Sequence, residues 1–111
     1  MKTSTDPQAP VFLAEAGRTF WQRIVGEFDL DSAALQLLAL ACKQADRAAE
    51  ARAILAAQPV VYLDRFGQAR EHPAVAIERN ATIAFARLVR ELALDVEPPA
   101  DSRPPRRPGT N

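Results

Sequence analysis

PVVYLDRFGQAREHP, residues 59–73, is the stretch that decides the fold, because its pattern differs from the two helical patterns that flank it. Residues 60–63 are β-branched, aromatic or aliphatic and favour a strand. The following residues, 64–67, supply a turn in which Gly67 takes the positive φ. A short β-hairpin is therefore predicted. Because two strands alone are marginally stable in water, the hairpin must lie on the helices or pair with something outside the chain.

The first of the two flanking patterns precedes the hairpin and begins with VFLAEAGRTFWQRIVGEF, in which apolar residues recur at spacings of three and four. This spacing is typical of one buried helical face and predicts a helix over residues 12–28. The face consists of Leu13, Gly17, Phe20, Trp21, Ile24, Val25 and Phe28.

A longer second helix is predicted to begin at residue 32, with Asp31 as its N-cap. Leu30 before the cap and Leu35 in the first turns form a hydrophobic staple, and Pro59 ends the helix. Its apolar stripe narrows from leucine to alanine, which lets another helix approach closely along the later turns. The stripe consists of Leu35, Leu38, Cys42, Ala45, Ala49 and Ala53.

The third helix follows the hairpin, with His72 as the cap and Pro73 in the first turn, where its missing N–H is not needed. The helix should end near residue 93, before the two prolines at 98 and 99. Its buried side carries Ile77, Ala81, Ala84, Phe85, Leu88 and Leu92. Another side carries a basic strip of Arg79, Arg87 and Arg90, which we interpret first as a partner for acidic residues of neighbouring subunits.

The order of elements predicts a mainly α protein with two long helices, a short β-hairpin and a third helix. We expect a flexible N-terminal segment over 1–11, a helical domain over 12–94 and a disordered tail over 95–111. The tail is rich in proline and arginine, and beyond residue 96 it has no aliphatic side chain larger than alanine. It therefore cannot offset the entropy of packing against a core.

Composition argues against catalysis. The chain of 111 residues has 14 lysines and arginines against 14 aspartates and glutamates, so no global field attracts it to nucleic acid or membrane. One histidine and one cysteine form neither a zinc site nor a disulfide, and no phosphate-binding glycine loop is present. We expect a cytoplasmic protein that is not an enzyme, binds no metal or cofactor and does not enter the membrane.

Several segments carry a resemblance to a known family: GRTFWQRIV (17–25), KQADRAAEA (43–51), the turn DRFGQ (64–68), His72-Pro73 and LVRELAL (88–94). Their order and spacing over residues 13–94 resemble the phage terminase small-subunit family of tailed phages and prophages. None of these segments is a catalytic motif. The family usually ends its third helix with a leucine-glycine-leucine step, and here the middle residue is Ala93.

The resemblance implies a non-catalytic partner of a genome-packaging motor in the cytoplasm of the bacterial host. Such a protein recognises concatemeric viral double-stranded DNA and presents it to a large terminase subunit that carries the ATPase and nuclease. Family members form rings, so a cyclic homo-oligomer is expected. On this interpretation His72, Pro73, Gly67 and Asp31 are architectural residues.

Two sets of residues are the candidates for these interactions. Arginines of the tail and then of the third helix are predicted to hold DNA: Arg103, Arg106, Arg107, Arg79, Arg87 and Arg90. Apolar residues away from the helical stripes, or in the hairpin, are predicted at the subunit interface: Phe20, Trp21, Tyr62, Phe66, Val75, Ile83 and Val89. We expect Tyr62 and Phe66 to contact either a neighbouring subunit or the third helix.

Two other classes of protein remain open from the residues themselves. One is a small helical DNA-binding regulator unrelated to packaging, which would show a compact helix-turn-helix instead of long helices split by a hairpin. The other is a protein–protein adaptor that does not bind DNA, which the zero net charge favours. A terminase subunit binds DNA with an affinity that falls as the salt concentration rises, whereas the adaptor does not bind DNA.

Overall fold

The computed structural model describes residues 6–93, which form three α-helices and one β-hairpin. The elements are α1 (Glu15–Glu27), α2 (Ser32–Ala57), β1 (Val61–Leu63), β2 (Ala69–Glu71) and α3 (Pro73–Leu92). The predicted fold class is confirmed, with the hairpin placed between the second and third helices. The predicted tail, residues 95–111, lies outside the described residues.

Helix α1 begins at Glu15, later than the apolar spacing predicts. Leu13 N donates to Pro10 O at 3.2 Å, and Ala14 has extended backbone angles, so the chain turns before the helix starts. Leu13 is nevertheless buried. The apolar spacing located the buried residues correctly but placed the helix start too early, because the start is set by a contact with α2.

That contact is made by the carboxylate of Asp46, a buried residue of α2. Oδ2 accepts a hydrogen bond from Ala14 N at 2.7 Å, and Oδ1 accepts one from Gly17 N at 2.6 Å. The first N–H groups of a helix have no partner within the helix, and Ala14 has no side chain that could cap them. Asp46 therefore caps α1 from the neighbouring helix.

Gly17 allows α1 to approach α2 closely enough for this cap. A Cβ atom at Gly17 would lie 2.6 Å from Asp46 Oδ2 and 2.6 Å from the backbone oxygen of Cys42. Backbone cannot give way as a flexible side chain does, so any larger residue would force the two helices apart. Glycine is required here for space, not for an unusual φ.

The core lies where α1 crosses the first half of α2. The buried cluster consists of Leu13, Trp21, Ile24, Val25, Leu38 and Cys42. Trp21 is only 4% exposed, and its Nε1 donates to Pro7 O at 3.1 Å. The sequence places Trp21 both on the buried face of the helix and at a subunit interface. The structure shows the first placement, with the core of the same chain covering the indole.

Helix α2 has the predicted start and end. Asp31 Oδ1 accepts a hydrogen bond from Ala34 N at 2.8 Å, and both Leu30 and Leu35 pack against the core cluster. The helix ends at Ala57, just before Pro59, which has no N–H to continue the ladder. Two signals readable in the sequence, the Asp31 cap and Pro59, therefore define the two ends of this helix.

Small residues line the contact between α2 and α3. Ala41, Ala48 and Ala51 are buried on α2, and Ala74 and Ala81 are buried on α3. The predicted stripe is partly wrong, because Ala45 and Ala49 are half-buried and Ala53 is exposed. The physical reason is that α2 packs against both α1 and α3. Its buried surface is therefore wider than one stripe and includes Ala41, Ala48 and Ala51, which the predicted stripe leaves out.

The hairpin pairs Val61 with Glu71 and Leu63 with Ala69 in an antiparallel register. All strand residues are exposed, so the hairpin does not lie on the helices. Of the two possibilities that the sequence left open, packing of the strands on the described helices is not what the structure shows.

Helix α3 ends with Ala93 in the left-handed region, at φ 54° and ψ 51°. Ala93 N donates to Arg90 O at 3.1 Å. Glycine usually occupies such a position, since a Cβ there costs about 1 kcal/mol or more. Ala93 thus ends the helix in a conformation that strains its backbone. Among the described residues, no helix combines the length and apolarity that a membrane crossing needs.

Replacing Asp46 with alanine should lower the free energy of unfolding by about 2–4 kcal/mol, because two N–H groups lose their acceptor in a largely buried place. The matched control is Asp31→Ala, which removes an exposed cap and should cost about 1 kcal/mol. Urea unfolding followed by circular dichroism measures both. Equal losses for the two variants would show that Asp46 is an ordinary cap and not the link between α1 and α2.

Candidate nucleic-acid and subunit interfaces

Both ring nitrogens of His72 have partners within the chain. Nδ1 accepts a hydrogen bond from Ala74 N at 3.0 Å, so the proton of the neutral ring is on Nε2, which donates to Gln58 Oε1 at 2.7 Å. The backbone N–H of His72 donates to Val60 O. His72 therefore caps α3 and closes the base of the hairpin, with no ring nitrogen left for a metal or for proton transfer.

The hairpin turn is organised by Asp64. Arg70 Nε donates to Oδ2 at 2.9 Å, and the backbone N–H groups of Gln68 and Phe66 donate to Oδ1. These donors, Arg70 first, hold the pKa of the Asp64 carboxyl below its usual value. Gly67 has φ +79° with open space around its Cα, so glycine is needed here for backbone conformation alone.

The hairpin presents an apolar surface to solvent. Phe66 at its tip is 75% exposed and contacts the guanidinium of Arg65, 5.2 Å from the ring centroid. Tyr62 packs edge-on against the His72 ring and is otherwise exposed. The other large exposed residues of this surface are Val60, Val61 and Leu63. Neither Tyr62 nor Phe66 is covered by α3.

The remaining residues predicted at a subunit interface are distributed over α1 and α3. Ile83 is 50% exposed, whereas Phe20, Val75 and Val89 are half-buried. Sequence reasoning missed Leu40 and Ile54, which are exposed on α2. The signal was available, because both are large apolar residues that lie outside the predicted stripe of that helix.

The basic strip of α3 is exposed at all three positions. Arg79 and Arg90 lie about 16 Å apart along the helix axis, at 1.5 Å per residue. Within residues 6–93, no carboxylate lies within ion-pairing distance of Arg79, Arg87 or Arg90. Glu78, which precedes Arg79 on α3, pairs with Arg52 of α2 at 3.3 Å. The tail arginines, Arg103, Arg106 and Arg107, lie outside the described residues.

Helix packing brings Arg90 together with Arg23 of α1, since both line one cleft between α1 and α3. Sequence reasoning did not connect these residues, because they are far apart in the chain and no local pattern links them. Arg23 is therefore a candidate for anion contact that only the tertiary structure identifies.

The described residues contain no cluster of three or more histidine, cysteine, aspartate or glutamate side chains that could hold a metal ion. No buried side-chain nitrogen or oxygen within residues 6–93 lacks a hydrogen-bond partner. Cys42 is fully buried, and burial, followed by the nearby Asp46 carboxylate, raises the pKa of its thiol to about 12. A thiol in that state is not a nucleophile at neutral pH.

Comparison with known proteins gives one match. The sequence profile of a family described as "Phage terminase, small subunit" matches residues 17–103, which is more than half of the chain. No curated protein and no solved structure matches the chain. The match includes α1 from its third residue onward and all of α2, the hairpin and α3.

The state of Cys42 predicts how stability changes at alkaline pH. Its folded pKa of about 12 lies above its ordinary value of 9.0, so the neutral thiol contributes stability fully below pH 9, and this contribution is lost as pH rises toward 12. We expect the urea midpoint to fall above pH 9 and Cys42→Ala to make that fall shallower. Native protein at pH 8 should not react with Ellman's reagent until urea is added; rapid labelling of the native state would contradict the buried thiol.

Proposed function

The chain belongs to the phage terminase small-subunit family, and we propose that it is the DNA-recognising, non-catalytic subunit of a viral genome-packaging motor. The family match over residues 17–103 carries this proposal. A role in phage packaging follows from the family. Recognition of viral DNA, assembly into a ring and regulation of a large terminase subunit are the parts that we propose.

A non-catalytic role is supported by the way in which the reactive side chains are used. His72 has both nitrogens occupied by the chain, Cys42 is a neutral buried thiol, and Asp46 caps a helix. Hydrolysis of ATP and cleavage of DNA need bound metal ions and an activated water, and the packaging motor must obtain them from another subunit. A large terminase subunit with ATPase and nuclease activity is the partner of that kind.

Self-association is supported by the apolar surface that the chain does not bury. The hairpin, α2 and α3 each expose large apolar residues, of which Phe66, Leu40 and Ile83 are at least half exposed. Such surfaces on a small protein usually mark an interaction site. We propose a cyclic homo-oligomer in which the hairpin surface and the exposed faces of α2 and α3 meet in neighbouring subunits.

DNA binding is proposed for two groups of arginines. The tail group, Arg103, Arg106 and Arg107, has one nearby acidic residue, Asp101, and its proline-rich sequence can follow phosphates. The second group is the strip on α3, whose arginines have no ion-pair partner in the described part of the chain. A ring repeats each group around its axis, which makes a weak local charge into a continuous basic surface.

Light scattering on the purified protein tests the oligomer. The mass at micromolar concentration and physiological salt should be a multiple of 12.1 kDa. Phe66→Ser should shift the population to smaller species without unfolding the chain, because the Phe66 ring is exposed at the hairpin tip and contributes no core packing. Val11→Ser, at a residue 94% exposed outside this surface, is the matched control. A monomer in the unmodified protein would refute the ring.

DNA binding is tested with two triple-alanine variants, one at Arg103, Arg106 and Arg107 and one at Arg79, Arg87 and Arg90, after each is shown to keep the native mass. We expect the tail variant to bind double-stranded DNA more weakly. The slope of log affinity against log salt should become shallower by about 0.9 for each phosphate that the variant no longer neutralises. Sequence preference should stay slight, because arginines that bind phosphates do not read bases.

Three other outcomes have defined meanings. Loss of binding in the strip variant alone would move the DNA-binding site from the tail to α3. No loss in either variant would favour the adaptor that does not bind DNA. Salt-independent binding by the unmodified protein would contradict phosphate binding by both groups of arginines.

A further inference from the structure

A cleft between α1 and α3 lies next to the end of the described chain, where Ala93 lines it. It has a volume of about 830 Å³. Its floor is apolar and consists of Phe20, Ile24, Phe28, Phe85 and Val89. Phe20 and Phe85 meet edge-on at one end, with ring centroids 5.1 Å apart, and Ala93 lines the other end.

The four residues that follow Ala93 have the sequence expected of an extended segment with one apolar face. In Leu94-Asp95-Val96-Glu97, apolar and acidic residues alternate. An extended chain places alternate side chains on opposite sides, so Leu94 and Val96 share one side and Asp95 and Glu97 share the other.

The length of this segment fits the cleft. From Phe85 to Ala93 the cleft follows α3 for eight residues, or about 12 Å at 1.5 Å per residue. Four extended residues span about 13 Å. A segment that starts at Ala93 and returns along α3 therefore reaches the Phe20–Phe85 end of the cleft.

The helix end supplies the required reversal of the chain. Ala93 is left-handed, and its N–H donates to Arg90 O, which is one of the hydrogen bonds of a Schellman motif. In that motif the residue after the left-handed one packs against a residue of the last helical turns. In this sequence those two positions are Leu94 and Val89, and Val89 is part of the cleft floor.

The charge of the cleft walls is opposite to that of the segment. Arg23 and Arg90 stand on the two walls of the cleft, one on α1 and one on α3. Arg23 pairs with Glu27 only at 4.0 Å, with both side chains exposed, and Arg90 has no ion-pair partner within residues 6–93. Asp95 and Glu97, on the acidic side of an extended segment, have the opposite charge to these two guanidinium groups.

We propose that residues 94–97 of the same chain dock in this cleft as an extended segment. Leu94 and Val96 cover its apolar floor, and Asp95 and Glu97 pair with Arg90 and Arg23 on its walls. The docked segment extends the folded domain to residue 97. It also fixes the point from which the arginines at 103, 106 and 107 start, whether or not they bind DNA.

The first test compares two valines in the full chain. Val96→Ser should lower the thermal midpoint by about 4–8 °C, the shift that 1 kcal/mol produces in a domain of this size. Val11→Ser, at a residue 94% exposed, should leave the midpoint unchanged. Equal midpoints for the two variants would overturn the proposal.

The second test identifies the occupant by disulfide formation in the full chain. Arg23→Cys combined with Val96→Cys should form an intrachain disulfide on mild oxidation, while the buried native Cys42 stays reduced. Arg79→Cys combined with Val96→Cys is the control pair, with its first cysteine on α3 away from the cleft, and should not form one. Adding Leu94→Ser to the first pair should slow the reaction about tenfold, because burial of a leucine contributes about 1.5 kcal/mol or more.

Each other result contradicts docking within one chain. A disulfide-linked dimer would place the segment in the cleft of a second copy. If Leu94→Ser left the rate of disulfide formation unchanged, the segment would be meeting residue 23 by chance encounters without docking. Absence of any disulfide would leave the cleft to another surface of a second copy or to a different partner.

Discussion

The buried carboxylate of Asp46 is the interaction on which the rest of this structure depends. It joins α2 to the N-terminus of α1 by two hydrogen bonds, and the missing side chain of Gly17 makes room for them. An aspartate at a helix N-terminus satisfies free N–H groups and the helix dipole together. Once α1 is held in this place, Trp21 reaches Leu38 and Cys42 in the core, and the C-terminal half of α1 forms a cleft with α3.

Helix α2 is the central element, because it packs against both other helices while α1 and α3 approach each other mainly through Phe20 and Phe85. Three helices and an exposed hairpin in a chain of this length enclose only a small core. Several large apolar residues consequently remain on the surface, in the hairpin and on α2 and α3. We propose the ring because the core is too small to bury these residues. In the ring, neighbouring subunits cover them.

The histidine and several aspartates of residues 6–93 serve architecture. His72 joins the hairpin to α3, Asp64 orders the turn, and Asp31 and Asp46 cap helices. The arginines of α3 are the exception, since they are exposed and lack acidic partners in the described part of the chain. This division agrees with a subunit that binds and positions other molecules and leaves catalysis to a partner.

The sequence by itself determined the features that depend on near neighbours in the chain. Asp31 and Pro59 bound α2, Gly67 permits the hairpin turn, and His72-Pro73 starts α3, since caps, turns and proline act within a few residues. The helix order and fold class followed from these signals and from the apolar spacing.

Only the tertiary structure decided which apolar and charged residues meet across helices. It placed Trp21 in the core, shifted the alanine face of α2, and started α1 at the Asp46 contact. It also brought Arg23 and Arg90 to one cleft. Spacing along one helix shows which residues share a face but not which partner covers that face, because the partner is chosen by packing between segments that are distant in the chain.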